Sequence, residues 1–484
     1  MAKITAKAKT NPPKRIRTIN RAGGEAFTLT DKERLATGVL TSFFGEANYY
    51  GDTTNELIEL AFGADPKFVA QLAVYARNNM NLRTFPVALT GVLCLKGQKY
   101  ARSVINQVCT RPDQLCELVS FVNLYGENVA RSLRQMKLGL SDRLNDCNEY
   151  ALSKYSGTGK VKLKDVLKLC HAKPKDKAQS KLFKKLLSDT LETPVTWETV
   201  VSEKGNNANS WEKLWRENAL GYMAALRNLR NMIEAGAECV PEVLAMLQDL
   251  DRIKKSKQLP FRFYSAYREM GNLGVKGQAA MVALNECIEL SVDNLSWSES
   301  GSTLVAADVS GSMDNPISGY SGVMMFDISS LLTACVHRLS EGKATLSAFS
   351  DNFALINVHP RTPLFEVVER IRQSMPHGGT YAHKILQHCM TNQPNLDRII
   401  ILTDEQCYNE SGMSDSFAKL WEAYRYQSKC WLHIINLKSY GTTMVQRDKR
   451  VNYISGWSER VLEYIAKVEG GEKSMLSEIE SIKV

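Results

Sequence analysis

Residues Thr303–Pro316 read TLVAADVSGSMDNP. An apolar run, Leu304–Ala307, leads straight into Asp308, Ser310, Gly311 and Ser312. Such a run reads as a buried strand, and the small residues behind it let the backbone turn tightly, so that one acid and two hydroxyls can converge. Downstream the pattern alternates. KATLSAFS (Lys343–Ser350), LDRIIILTDE (Leu396–Glu405) and CWLHIINL (Cys430–Leu437) read as strands, while GVMMFDISSLLTACVHRLS (Gly322–Ser340), LFEVVERIRQSM (Leu364–Met375) and SFAKLWEAYRYQS (Ser416–Ser428) read as helices. Apolar strands alternating with helices predict an α/β unit with a parallel sheet covered on both faces. Ligands in such sheets bind where strands end at their carboxyl edge, which is where Asp308 is placed.

Two further features belong to the same edge. Gly378-Gly379 precede Thr380 in HGGTYAHK (His377–Lys384), and Asp404 closes the apolar run of ILTDEQ (Ile401–Gln406). Two carboxylates and three hydroxyls are hard oxygen donors. Few charges and several hydroxyls suit Mg²⁺, which keeps waters and leaves room for an incoming carboxylate. The same residue types at a strand end also serve as a helix N-cap. A catalytic Ser310 is disfavoured, because Gly-x-Ser-x-Gly is absent and the sequence places no histidine as its base.

Upstream, from about Thr30 to Leu290, the pattern is helical. TNELIELAFGADPKFVAQLAVYARNN (Thr54–Asn79) spaces apolar residues three and four apart, with Asp65-Pro66 as a helix start. Short helices in series predict an α-solenoid-like stack. The Ser- and Gly-rich DNLSWSESGST (Asp293–Thr303) separates the two halves. The expected division is a basic flexible tail at 1–24, a helical domain at 25–294 and an α/β domain at 295–484. A chain of 484 residues exceeds what one core supports, which is ~250–300 residues.

No apolar run approaches the ~18–20 residues that cross a membrane, and the N-terminus lacks a secretory apolar region. The 11 cysteines contain no Cys-x-x-Cys and sit in apolar surroundings, so free thiols in a reducing, cytoplasmic setting are expected. The net charge of +9 is unevenly spread. Residues 1–21 carry seven Lys/Arg and no acid, residues 151–185 carry eleven Lys against two Asp, and residues 295–484 are mildly acidic. Eleven lysines against two acids cannot be balanced within the segment, which points to a polyanion. The GTGK at Gly157–Lys160 is not a phosphate loop, since the required Gly is Lys154 and no Ser or Thr follows Lys160.

Asp308-x-Ser310-x-Ser312, Thr380 and Asp404 resemble the metal-ion-dependent adhesion site (MIDAS) of a von Willebrand factor A domain. SKYSGTGKVKLKDVLKLCHAKP (Ser153–Pro174), LGYMAALRNLRNM (Leu220–Met232) and QLPFRFYSAYREM (Gln258–Met270) resemble the TROVE module of the Ro 60-kDa autoantigen family, in its bacterial or phage form. YISGWSERVLEYI (Tyr453–Ile465) resembles that family's last helix. The resemblance implies HEAT-like helical repeats closed into a monomeric ring by a Rossmann-like A domain. It further implies Y RNA on a basic outer surface, misfolded or single-stranded RNA ends in the central hole, and a protein partner such as an exoribonuclease at the metal site. By position Lys154 and His171 match family RNA contacts, and Lys164 and Lys168 match basic positions. Lys160, Lys162 and Lys173 belong to the same segment, where Ser156–Gly159 departs from the family's more basic pattern. Arg131, Arg134 and Lys137 are further candidates from their shared helical face, although ordinary surface residues would space alike. Two functions follow: a non-enzymatic RNA-binding protein, or a metal-dependent adaptor that recruits an acidic partner.

Overall fold

The computed structural model describes residues 14–41, 52–126, 133–155, 159–295, 297, 301–316, 323–408, 416–438, 440–456, 461–470 and 475–484. Between Asp31 and Ser291 every regular element among these is helical. The helix starts follow local chemistry. Asp65 accepts from the amides of Lys67 and Phe68 at 3.4 and 3.3 Å, with Pro66 in the first turn, and so begins the Pro66–Asn78 helix. Successive helices bury facing stripes, and the stack has two cores. The first runs from Leu35 to Leu186, and the second from Val200 to Val292.

The strands are β1 (Arg17–Ile19), β2 (Glu25–Thr28), β3 (Thr303–Asp308), β4 (Thr345–Phe349), β5 (Phe353–Leu355), β6 (Arg398–Thr403), β7 (Trp431–Asn436), β8 (Thr442–Thr443) and β9 (Val451–Ser455). Six form one sheet in the order β5-β4-β3-β6-β7-β9, parallel except for β5 at the edge. Alternate residues serve opposite faces. Val305, Ala307, Ile400 and Leu402 join the second helical core, whereas Leu304, Ala306, Ile399 and Ile401 join a separate core beneath the helices His383–Asn392 and Phe417–Gln427. The chain moves outward from β3 to β5 and then returns to β6 on the other side of β3. The switch point therefore lies between the carboxyl ends of β3 and β6.

This sheet domain grips both ends of the helical stack. At one end the Met325–Leu339 helix shares a core with the last stack helices, and the Tyr264 hydroxyl donates to buried Asp327 at 2.7 Å. At the other end the C-terminal helix Met475–Ser481 places Met475 and Ile479 in the first helical core against Pro66–Asn78. Lys32 pairs with Glu480, and Ser455 donates to Thr37 at 2.9 Å. The stack is thus closed into a circuit of contacts.

Three expectations change. Residues 14–24, assigned to a flexible tail, form β1 and a turn: β1 pairs with β2, which pairs antiparallel with β8. The helix Val461–Glu469 is not the last one, because Met475–Ser481 follows it. Residues 475–484 pack on the helical domain rather than the sheet, since the first stack helices would otherwise expose an apolar face. All eleven cysteines are free, and ten of them are buried.

Tyr264→Phe would leave one oxygen of the buried Asp327 carboxylate without its donor. A loss of about 1–3 kcal/mol is expected, read as a lowered urea midpoint for the joint transition of the second helical core and the sheet.

Candidate metal centre and nucleic-acid interface

Asp308 ends β3, and Asp404 follows β6, its neighbour in the sheet. Both carboxylates are fully buried. Asp308 accepts from the Ser310 amide at 2.9 Å and from the Thr403 hydroxyl at 2.6 Å, so each of its oxygens is engaged. Asp404 accepts from the Gln406 amide at 3.2 Å through Oδ1, while its buried Oδ2 has no hydrogen-bond partner. The Ser310 and Ser312 hydroxyls lie 3.2 Å apart, with Ser310 buried and Ser312 half-buried.

The buried Thr380 belongs to a third loop that is tied to the other two. The Gly311 amide donates to the Gly378 carbonyl at 2.8 Å, and the Tyr408 amide donates to the Thr380 carbonyl at 2.7 Å. Thus the loops carrying all five residues meet at the topological switch point. Among the described residues no three His, Cys, Asp or Glu side chains cluster in metal-holding range. The candidate is a set of two acids and three hydroxyls, which suits a hard cation.

Burial, and then the neighbouring Asp404 charge, push the Asp308 carboxyl up to about 7. Burial also raises Asp404, against the opposing pull of the Gln406 amide and the nearby Ser312 hydroxyl. The orphaned Asp404 oxygen, buried among hydroxyls, belongs to a donor set that a hard cation would fit.

Thr403 and Glu405 contribute in ways that sequence reasoning missed. Thr403 orients Asp308. Glu405 sits in the left-handed region at φ 59°, and its buried carboxylate takes Asn436 Nδ2 at 2.6 Å, Thr443 Oγ1 at 2.7 Å and the Met444 amide at 3.0 Å. Those bonds hold an unfavourable backbone geometry next to Asp404.

The lysine segment divides into engaged and free residues. The Leu163–Cys170 helix buries Leu163, Val166, Leu167 and Cys170, so Lys164, Lys168 and His171 share its outward face. His171 is exposed and ends the helix at φ 49°. The Lys177–Leu187 helix buries Gln179, Phe183 and Leu186 and exposes Lys177, Lys181 and Lys184 as a second stripe. Lys160, Lys162 and Lys173 are exposed as well.

Three lysines are engaged, however. Lys164 meets Asp189 at 2.6 Å, Lys185 meets Glu149 at 2.8 Å, and Lys154 lies 3.6 Å from Glu198. Burial opposes the Lys154 ammonium, yet Glu198 and two tyrosines outweigh it and hold the group above the usual lysine range. The imbalance that the segment cannot meet within itself is therefore partly met by acids outside it. The second stripe was absent from the residues singled out by sequence, although its spacing of four and three was legible. Arg134 is exposed and Lys137 half-buried at the start of Arg134–Asn145, a helix that packs on Leu163–Cys170. Arg131 lies outside the described residues.

The TROVE domain model matches residues 51–191 and 189–300, and the Ro60 vWA domain model matches residues 302–468. The chain belongs to the Ro60 family. Ro60-family TROVE proteins are generally RNA-binding, and the order of the two modules agrees with the two halves of this fold. The crystal structure of the Deinococcus radiodurans RO (RSR) protein superposes with a TM-score of 0.65 at 15% identity, covering 92% of this chain and 100% of that one, which shows a shared fold. Telomerase protein component 1 of Rattus norvegicus and that of Mus musculus are each 39% identical over 85 residues, 17% of this chain. The match spans only 3% of those relatives' length. Among the described residues no helix of this Ro60-family chain is long and apolar enough to cross a membrane.

The raised Asp308 carboxyl has a testable sign. A group held above its ordinary 3.8 binds its proton more tightly in the folded state. Its contribution is full below about pH 4 and is lost as pH rises through about 7. Asp308→Asn removes this titration. In chelator, the melting temperature of Asp308→Asn relative to the parent chain should rise between pH 4 and pH 8. A constant difference across that range would contradict the shift.

Proposed function

We propose that the protein is a non-enzymatic RNA-binding scaffold that holds a small, structured Y-like RNA on its lysine surface. The closed helical circuit would engage misfolded or single-stranded RNA ends. One observation carries the reading. Lys168, Lys177, Lys181 and Lys184 project outward from two adjacent helices, with no ion-pair partner among the described residues. Exposed, unpaired lysines attract phosphate by releasing its counterions, and each phosphate neutralised adds ~0.7–0.9 to the salt slope. Replacing Lys168, Lys181 and Lys184 together by Gln should lower that slope by about 2–3 for a structured RNA, measured by filter binding across a salt series. Lys164→Gln should do less than Lys168→Gln, because Asp189 already occupies Lys164. Unchanged affinity and slope in the triple variant would remove the lysine surface from the reading.

A second role is favoured by the orphaned Asp404 Oδ2. Ser310, Ser312 and Thr380 would hold a divalent cation, most suitably Mg²⁺, with Asp308 and Asp404 acting directly or through water. The bound cation supplies a Lewis-acid seat for an oxygen ligand, which is how an acidic protein partner would be recruited. Asp308→Ala should then lose both the Mg²⁺-dependent rise in melting temperature and capture of an acidic peptide, while RNA binding measured in parallel is unchanged. A Mg²⁺ response equal to that of the parent chain would exclude the site.

A further inference from the structure

The loop that carries Asp404 has two sides. One side faces the proposed metal site: Asp404 presents its free Oδ2, and the Tyr408 amide reaches the Thr380 carbonyl at 2.7 Å. The other side is covered by the N-terminal hairpin. Asn20, which is 6% exposed, donates through Nδ2 to the Cys407 carbonyl at 2.7 Å. Its Oδ1 meanwhile accepts from the amides of Ala22 and Gly24 at 3.0 and 2.9 Å, so one side chain both builds the hairpin turn and clamps the loop. The Arg21 amide donates to Gln406 Oε1 at 3.1 Å, and Gln406 is the residue whose own amide reaches Asp404. A Cβ on Gly24 would lie 2.0 Å from the Cys407 carbonyl oxygen, so the approach admits only glycine. A second link runs through Glu405, which holds Thr443 of β8, the strand that pairs with β2 at Phe27.

We propose that the N-terminal hairpin is a positioning element for the cation site, and that Asn20 couples docking of the hairpin to occupancy of that site. A cation at Asp404 fixes the loop against which the hairpin packs. A docked hairpin in turn holds the loop ready for the cation. Linkage makes the two effects equal: the factor by which docking tightens the cation is the factor by which the cation tightens docking. The inference rests on the proposed metal site.

The test uses the full chain and Mn²⁺, titrated by calorimetry. Asn20→Asp keeps the turn-forming oxygen but removes the donor to Cys407, and it should weaken Mn²⁺ about fivefold or more. In the unmodified chain, saturating Mn²⁺ should slow tryptic cleavage at Arg15, Arg17 and Arg21 by a similar factor, and Asp308→Ala should abolish that protection. The cleavage assay does not depend on the folding of any hairpin variant. Equal Mn²⁺ affinity in parent and Asn20→Asp, or cleavage of the parent hairpin that ignores Mn²⁺, overturns the coupling while leaving the metal site standing. A parent chain that binds no Mn²⁺ overturns the site and the coupling together.

Discussion

The helical stack cannot cover its own ends. Each short helix pair buries one stripe against the next, so the first and last units present apolar surface that needs a cap. In this chain the residues that follow the stack supply both caps. The Met325–Leu339 helix closes one end through a shared core, and the C-terminal helix Met475–Ser481 closes the other with Met475 and Ile479. Both closures carry polar bonds beside their apolar contacts. At the first, the Tyr264 hydroxyl reaches buried Asp327 and Arg338 pairs with Glu289 at 2.7 Å. The second has polar ties of its own: Glu33 takes both Arg15 and Arg447, and these partners together outweigh burial and hold its carboxyl at about 2. Those ties join residues far apart in sequence, up to Lys32 and Glu480, which should place closure late in folding.

The sheet domain was legible because fully buried strands are continuous apolar runs. Leu304–Ala307 and Ile399–Leu402 need no partner to be recognised as strands. The five oxygen-bearing residues were legible for a related reason. Loops at the carboxyl ends of parallel strands carry function without carrying packing, so Asp and Ser stand out there against an apolar background. The N-terminal hairpin was not legible. β1 has three residues and β2 four, and the further partner of β2, β8, has only two, placed near the opposite end of the chain. No local periodicity announces a pairing of that length. The basic composition of residues 1–21 also argued for a solvated arm, although Asn20, Arg21 and Gly24 are used structurally.

The lysine surface shows a different limit. Charge counting within residues 151–185 misses Glu198, Asp189 and Glu149, which only the fold brings to Lys154, Lys164 and Lys185. Helical spacing, by contrast, does separate the lysines that face outward, because the buried residues of each short helix fix its orientation. Sequence therefore locates the basic face more reliably than it ranks the residues on it.

The two candidate sites work in opposite electrostatic regimes, which makes them separable. Exposed lysines act on a polyanion through water, over a range set by a Debye length of ~8 Å at physiological salt. Asp308 and Asp404 are enclosed, so their mutual repulsion is poorly screened and is relieved by a proton or a cation rather than by dissolved salt. Ionic strength should then act on the helical half, while pH and divalent cations act on the sheet half. The N-terminal hairpin reaches both halves, with Arg15 paired to Glu33 of the first stack helix. Its basic residues precede the first stack helix, and its turn at Asn20 lies against the loop of Asp404. It is one of several polar routes between the two halves, beside Arg447–Glu33, Ser455–Thr37 and Lys32–Glu480, and this one ends at the loop of Asp404.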